Sequence, residues 1–202
     1  MVQGEVMGKT DCRRVTADRL AIVALGSNLS FGAETPSELL DAARRLLKKR
    51  GCAIRRCSRY FATPAFPAGS GPDFVNAVAV LDYDGGAAAL LAHLHAVEAQ
   101  MGRERVHRWG ARTLDLDLIA CGACVLPDAQ THAYWRDLPP EDQQARPPPE
   151  LILPHPRMSE RAFVLVPMMD VAPDWVHPLT HQTVRQMCDA LPHDAVGEVI
   201  AL

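Results

Sequence analysis

The sequence lacks most features that would assign it at a glance. No apolar run approaches the ~18 residues of a membrane span; the longest, Ala162 to Met169, is eight residues and contains Pro167. The first residues (MVQGEVMGKTDCRR) hold no apolar core of a secretory signal. Six cysteines in 202 residues are too few for a disulfide scaffold, so the expected compartment is reducing and cytoplasmic. Positive charge is not in excess: 21 Lys and Arg face 24 Asp and Glu, a net charge of −3. A general nucleic-acid binder needs a basic footprint, so any anion-binding charge here must be local. No internal repeat is present, and neither is the phosphate-cradling G-x-x-x-x-G-K-[ST] loop nor the protein-kinase motif set.

The composition is otherwise that of an ordinary globular chain, 48% apolar and 22% charged. We expect a flexible leader over residues 1–18, then a single domain over 19–202 with a Pro-rich insertion at about 124–150.

Leu20 to Leu25 reads as a buried strand that ends at Gly26, where Gly26-Ser27-Asn28 opens a loop. Thr35, Pro36 and Glu38 form a helix start with a capping box, and Gly51 supplies the stop. Residues 52–61 and 74–83 read as strands joined by the loop 64–72, too short for a helical crossover, so antiparallel pairing follows. Leu90, Leu91, Leu94, Val97 and Met101 recur at helical spacing before Gly102, and 113–120 alternates with period two. A short helix is expected after Ser159, broken near Pro167, and a last one from about Thr180 to Leu191. Residues 127–149 carry six prolines and read as irregular surface chain, folded back with Trp135 on the body and standing outside the chemistry. The architecture is α+β, a mainly antiparallel sheet with helices packed on it.

The chemistry concentrates in Arg108-Trp109-Gly110-Ala111-Arg112-Thr113-Leu114-Asp115-Leu116-Asp117. On a strand, Asp115 and Asp117 share one face about 7 Å apart, while Leu114, Leu116 and Leu118 face the core. Alone, such a pair of acids more often keeps a strand edge soluble. Residues 103–112 change the weighting, since four arginines against one glutamate give a local +3 in an acidic protein. Paired carboxylates suit Mg²⁺ and guanidinium forks suit phosphate oxygens, so the run reads as a polyphosphate site with metal.

These residues belong to an ordered set: Ala24-Leu25-Gly26-Ser27-Asn28-Leu29, Tyr60 with Thr63-Pro64, Asp73-Phe74-Val75-Asn76-Ala77, Glu98 with Met101-Gly102-Arg103, Arg108 to Asp117, and Leu153-Pro154-His155-Pro156-Arg157-Met158 through Arg161 and Phe163. Over about Ala21 to Pro178 the chain resembles the 6-hydroxymethyl-7,8-dihydropterin pyrophosphokinase family of folate biosynthesis. The resemblance implies a ferredoxin-like α/β/α layered core and transfer of pyrophosphate from ATP to a pterin hydroxymethyl oxygen, leaving AMP. It implies that Asp115 and Asp117 bind two Mg²⁺ ions, and that Arg103 and Arg112 act with them in catalysis. It places Glu98, Arg105, Arg108, Trp109, Arg112, His155 and Arg161 toward the nucleotide. It places Thr63, Pro64, Phe66, Phe74, Asn76, Trp109 and Phe163 around the pterin. The expected partners are these small molecules, with no nucleic acid or membrane, and the expected state is a monomer, with a homodimer as the alternative. Ala111 stands where the family usually has proline, and the stretch between Gly122 and Leu151 exceeds what compact members need.

Two other classes share parts of this pattern. A non-catalytic ferredoxin-like interaction module would not need Asp115, Asp117, Arg112, His155 and Arg161 all intact. A γ-phosphoryl kinase for another small substrate would yield ADP rather than AMP. Cys121-Gly122-Ala123-Cys124 reads as two ordinary cysteines, because a single C-x-x-C is half a zinc motif. His132 is expected in a flexible stretch, and His177, His181 and His193 on the surface.

Overall fold

A computed structural model describes residues 20–65, 71–103, 112–139, 141–142 and 146–202. Its sheet is built around β1 (Leu20–Ser27) and β4 (Phe74–Asp82), which pair antiparallel from Leu20↔Asp82 to Ser27↔Val75. β5 (Asp115–Cys121) lies on the other side of β1. β2 (Ala53–Cys57) and β3 (Phe61–Thr63) share the far edge of β4, and the short β6 (Ile200–Ala201) extends the sheet beyond β3. All these pairings are antiparallel, as the short connection at 64–72 required.

Alternation along the strands makes two cores. Val23, Leu25, Ala77, Ala79, Leu81, Leu114, Leu116 and Leu118 face helices α1 (Pro36–Lys49) and α2 (Ala87–Gln100). Ile22, Val78, Val80 and Ile119 face α4 (Ala162–Val171) and α5 (Val184–Asp189). The result is the expected α/β/α layering. The capping box stands as read: Thr35 Oγ1 accepts from the Glu38 N–H, and the Glu38 carboxylate accepts from the Thr35 N–H at 2.8 Å. Gly51, at φ 82, ends that helix. Among the described residues, no helix is long and apolar enough to cross a membrane.

Several expectations need correction. Residues 52–61 form two strands because Ser58 breaks the run: its N–H donates to the Val78 carbonyl at 2.9 Å and its hydroxyl accepts from the Val78 N–H at 3.0 Å. Arg59 then turns out to grip Asp170 with two guanidinium bonds of 3.0 and 2.9 Å. α4 does not break at Pro167. A proline inside a helix costs about 3 kcal/mol, but each large apolar side chain buried returns about 1.5–3 kcal/mol, and α4 buries Val164, Leu165, Met168 and Val171 around it.

The Pro-rich stretch is also not wholly irregular. α3 (Ala129–Arg136) fits between Pro127 and Pro139, N-capped by Asp128, whose carboxylate accepts from the Thr131 N–H at 2.8 Å. Its buried residues are His132 and Trp135, so Trp135 does pack inward. The expected helix from Thr180 shrinks to α5, capped by Thr183, and is followed by α6 (His193–Gly197), which the hydrophobic pattern did not show. His132 and His177 are buried, at 0% and 2% exposure, rather than flexible or on the surface. The leader at 1–18 lies outside the described residues.

Candidate active site

The sheet register assembles the site. Phe61 pairs with Asn76, Asn76 with Gly26, and Gly26 with Asp115, so these four form one row across β3, β4, β1 and β5. Directly paired residues point to the same face. Here that is the face of α4, and Asp117, opposite Ala24, lies one step along it. Gly26 is the low point of the row. A Cβ there would sit 2.9 Å from Asn76 Oδ1, 3.7 Å from Phe74 Cδ1 and 4.0 Å from Asp115 Cβ. The absence of a side chain leaves an open floor between an amide and a carboxylate.

On the Asp115 side the charges interlock. Arg112 bonds Asp115 Oδ2, and Arg103 Nη1 lies 2.6 Å from Asp115 Oδ1 while also bonding Glu98. Glu98 is 2% exposed, and its Oε1 accepts the Leu116 N–H at 2.8 Å. It is therefore a buried strut under Arg103 and β5. Arg161, at the N-terminus of α4, donates to Asp117 Oδ2 at 3.3 Å and lies 5.5 Å from the Phe163 ring centre. Burial, then the neighbouring Asp117 carboxylate, push the Asp115 carboxyl above its ordinary range, against the pull of Arg112 and Arg103. Asp115 Oδ1 is buried and makes no hydrogen bond of good geometry. Two hard carboxylates on one face, one of them buried, fit a divalent cation with oxygen preference.

His155 joins this group through β5, its N–H donating to the Ile119 carbonyl at 2.7 Å. Its Nδ1 accepts the Arg157 N–H at 3.2 Å, which makes Nε2 the protonated nitrogen of the neutral ring. Burial, with Arg161 and Arg157 beside it, holds the imidazole well below its ordinary pKa. His155 is thus a neutral donor, not a cation.

On the Asn76 side, Asn76 Nδ2 donates to Thr63 Oγ1 at 2.7 Å, and both residues are 7% exposed. That bond fixes the amide orientation and leaves Asn76 Oδ1 toward Gly26. Phe74 and Phe163 are half-buried and Pro64 is exposed. Phe66, Arg105, Arg108 and Trp109 lie outside the described residues.

The structure thus brings Arg103, Arg112 and Asp115 into one contact network, Asp117 and Arg161 into a second on the same face, and Thr63 with Asn76 into a third. Sequence reasoning gave Gly26 and Asn28 only the opening of a loop. Asn28 is 4% exposed, and its amide ties that loop to Arg112 and Pro72. The signal was the G-S-N run at the end of a buried strand, but which strands flank it is a matter of register.

A family model described as 7,8-dihydro-6-hydroxymethylpterin-pyrophosphokinase matches residues 22–173. The chain is 36% identical over 179 residues to a 2-amino-4-hydroxy-6-hydroxymethyldihydropteridine pyrophosphokinase of Synechocystis sp., covering 89% of this chain and 80% of that one. It is 41% identical over 152 residues to a protein of that name from Pseudomonas aeruginosa, covering 75% and 80%. Among solved structures, wild-type Plasmodium falciparum HPPK-DHPS superposes with a TM-score of 0.60 at 13% identity, over 84% of this chain and 44% of that one, a likeness of fold.

Proposed function

The chain belongs to the 7,8-dihydro-6-hydroxymethylpterin-pyrophosphokinase family, and from that premise we infer how its residues perform the family's reaction. It transfers pyrophosphate from ATP to the hydroxymethyl group of 6-hydroxymethyl-7,8-dihydropterin, a step of folate biosynthesis. The hydroxymethyl oxygen bonds to the β-phosphorus and gives up its proton to solvent, the bond from that phosphorus to the α-phosphate oxygen breaks, and AMP leaves with the electron pair. The observation that carries this reading is the row Asn76–Gly26–Asp115. It sets an amide suited to the edge of a heterocycle and a carboxylate suited to a phosphate-bound cation on either side of a bare glycine.

The pterin edge is read by Asn76 and Thr63, with Phe74 at the rim, Phe163 as the aromatic slab and Pro64 next to Thr63. Asp115 and Asp117 would hold two Mg²⁺ ions, which when bound neutralise phosphate charge and align the β-phosphoryl group. Arg103 and Arg112 are engaged by Asp115, and Arg161 by Asp117. Once those carboxylates are engaged elsewhere, the guanidinium groups turn to phosphate oxygens. The arginines are thus held beside the reacting group before it arrives, which lowers the cost of ordering them. His155 adds a neutral donor, and Glu98 acts through Arg103 and β5 rather than on the nucleotide.

No disulfide joins any two of the five described cysteines, in keeping with a cytoplasmic setting. Chromatography of the products tests the reading. AMP formed from ATP only in the presence of hydroxymethyldihydropterin is the expected result, and ADP would point to a γ-phosphoryl kinase instead.

A further inference from the structure

His132 lies on α3, outside every group described above, and its side chain is fully buried. Its Nε2 is 2.9 Å from the carbonyl oxygen of Pro154. A carbonyl only accepts, so Nε2 carries the proton, and Nδ1 is left buried without a partner. The edge of the His177 ring packs against it, with ring centres 5.7 Å apart and planes at 67°. His177 is itself fixed, since its Nδ1 accepts the N–H groups of Leu179 and Thr180 at 3.2 Å each. Burial keeps His132 below its ordinary pKa and so neutral.

Pro154 has no N–H, so its carbonyl is its one polar backbone group. The next residue is His155. On the other side the turn is held by β5, through the bond from the His155 N–H to Ile119. The turn that carries His155 is therefore gripped from two directions, by β5 and by α3. An apolar ring would fill the position of His132 without burying an unpartnered nitrogen, so the N–H donor is what the position retains.

We propose that His132 is a positioning residue for the phosphate site: through the Pro154 carbonyl it sets where His155 presents its Nε2–H. The proposal rests on the pyrophosphokinase reading and ties the insertion at 124–150 to the chemistry that it was expected to stand outside.

The test compares His132→Phe, which keeps the ring and loses the donor, with His132→Gln, whose amide reaches the position of Nε2. His132→Asn, which is too short to reach it, is the second loss variant should the Phe variant not fold. Each is made in the full chain and in a His155→Ala background. The expected result is a KM for ATP raised about fivefold to tenfold in the loss variant, with kcat within about twofold and the pterin KM unchanged. The Gln variant returns to within about twofold of the unaltered chain, and in the His155→Ala background the loss variant adds no further rise. An unchanged KM for ATP in the loss variant, or an equal rise with His155 absent, overturns the proposal while AMP formation by the unaltered chain leaves the reaction intact. No AMP from the unaltered chain overturns both.

Discussion

Asn28 holds Arg112 from two sides: its side-chain oxygen accepts the Arg112 N–H at 2.7 Å, and its own N–H donates to the Arg112 carbonyl at 3.1 Å. The same side chain donates through Nδ2 to the Pro72 carbonyl at 3.0 Å. One buried amide thus joins the end of β1, the approach to β4 and the residue that grips Asp115. Asn28→Ala leaves an N–H and a carbonyl without partners, each worth about 1–3 kcal/mol when buried. The expected outcome is a melting temperature lower by several degrees and a kcat/KM lower by at least about tenfold. Asn28→Asp keeps the acceptor for Arg112 but turns a carboxylate oxygen against the Pro72 carbonyl, so it should melt lower while keeping more activity than Asn28→Ala. Equal losses in the two variants, read by melting and steady-state kinetics, would refute the division of labour.

Gly26→Ala should damage the pterin side selectively. The new methyl would lie 2.9 Å from Asn76 Oδ1, and Asn76 cannot swing away without giving up its 2.7 Å bond to Thr63. The expected result is a KM for the pterin raised about tenfold or more, with the affinity for ATP changed much less. Titration of each ligand separately checks this, and equal weakening of both would contradict it.

Asp115→Asn should trade activity for stability. Burial and Asp117 raise the folded pKa of Asp115. Its contribution to stability is therefore fully present below the unfolded value and is lost as pH rises through the folded one, leaving the ionised group disfavoured at neutral pH. An uncharged isostere removes that burden, so the ligand-free variant should melt roughly 2–4 °C higher for each kcal/mol relieved, while pyrophosphoryl transfer falls by about a hundredfold or more. Added Mg²⁺ should stabilise the unaltered protein and not the variant. A variant that melts lower than the unaltered chain without Mg²⁺ would show that the arginine pairs outweigh the repulsion.

Acid should destabilise the fold through its buried histidines. His177 is held down to about 4 from an ordinary 6.5, by burial first and then by His132 and Arg136. Between those values the unfolded chain binds a proton there that the folded chain does not. Stability is therefore complete above about 6.5 and falls as pH drops toward 4. Calorimetry at pH 5 should detect proton uptake on unfolding, reduced by close to one proton in His177→Phe. The same uptake in both proteins would rule out His177 as the source.

Much of the site was legible because its chemistry is local in sequence. The alternation around Leu114–Asp115–Leu116–Asp117 shows that the carboxylates share a face, whatever packs behind them. The four arginines of 103–112 declare a local anion site inside an acidic chain. The misreadings have a common origin. His132 and His177 look like polar surface residues, and residues 127–149 look structureless, until other segments cover them. Pro167 looks like a helix end until burial on α4 outweighs its cost.

By itself the sequence determined the central strands, the capping of α1, the antiparallel pairing and the placing of Asp115 and Asp117 on one face, because periodicity and caps act over a few residues. Only the tertiary structure decided that Gly26 lies between Asn76 and Asp115, that Asn28 ties Arg112 to Pro72, and that His132 reaches the carbonyl before His155. Those relationships join positions far apart in the chain. They are fixed by strand register and by the burial of polar groups that must find partners, and no local pattern encodes which partner each one meets.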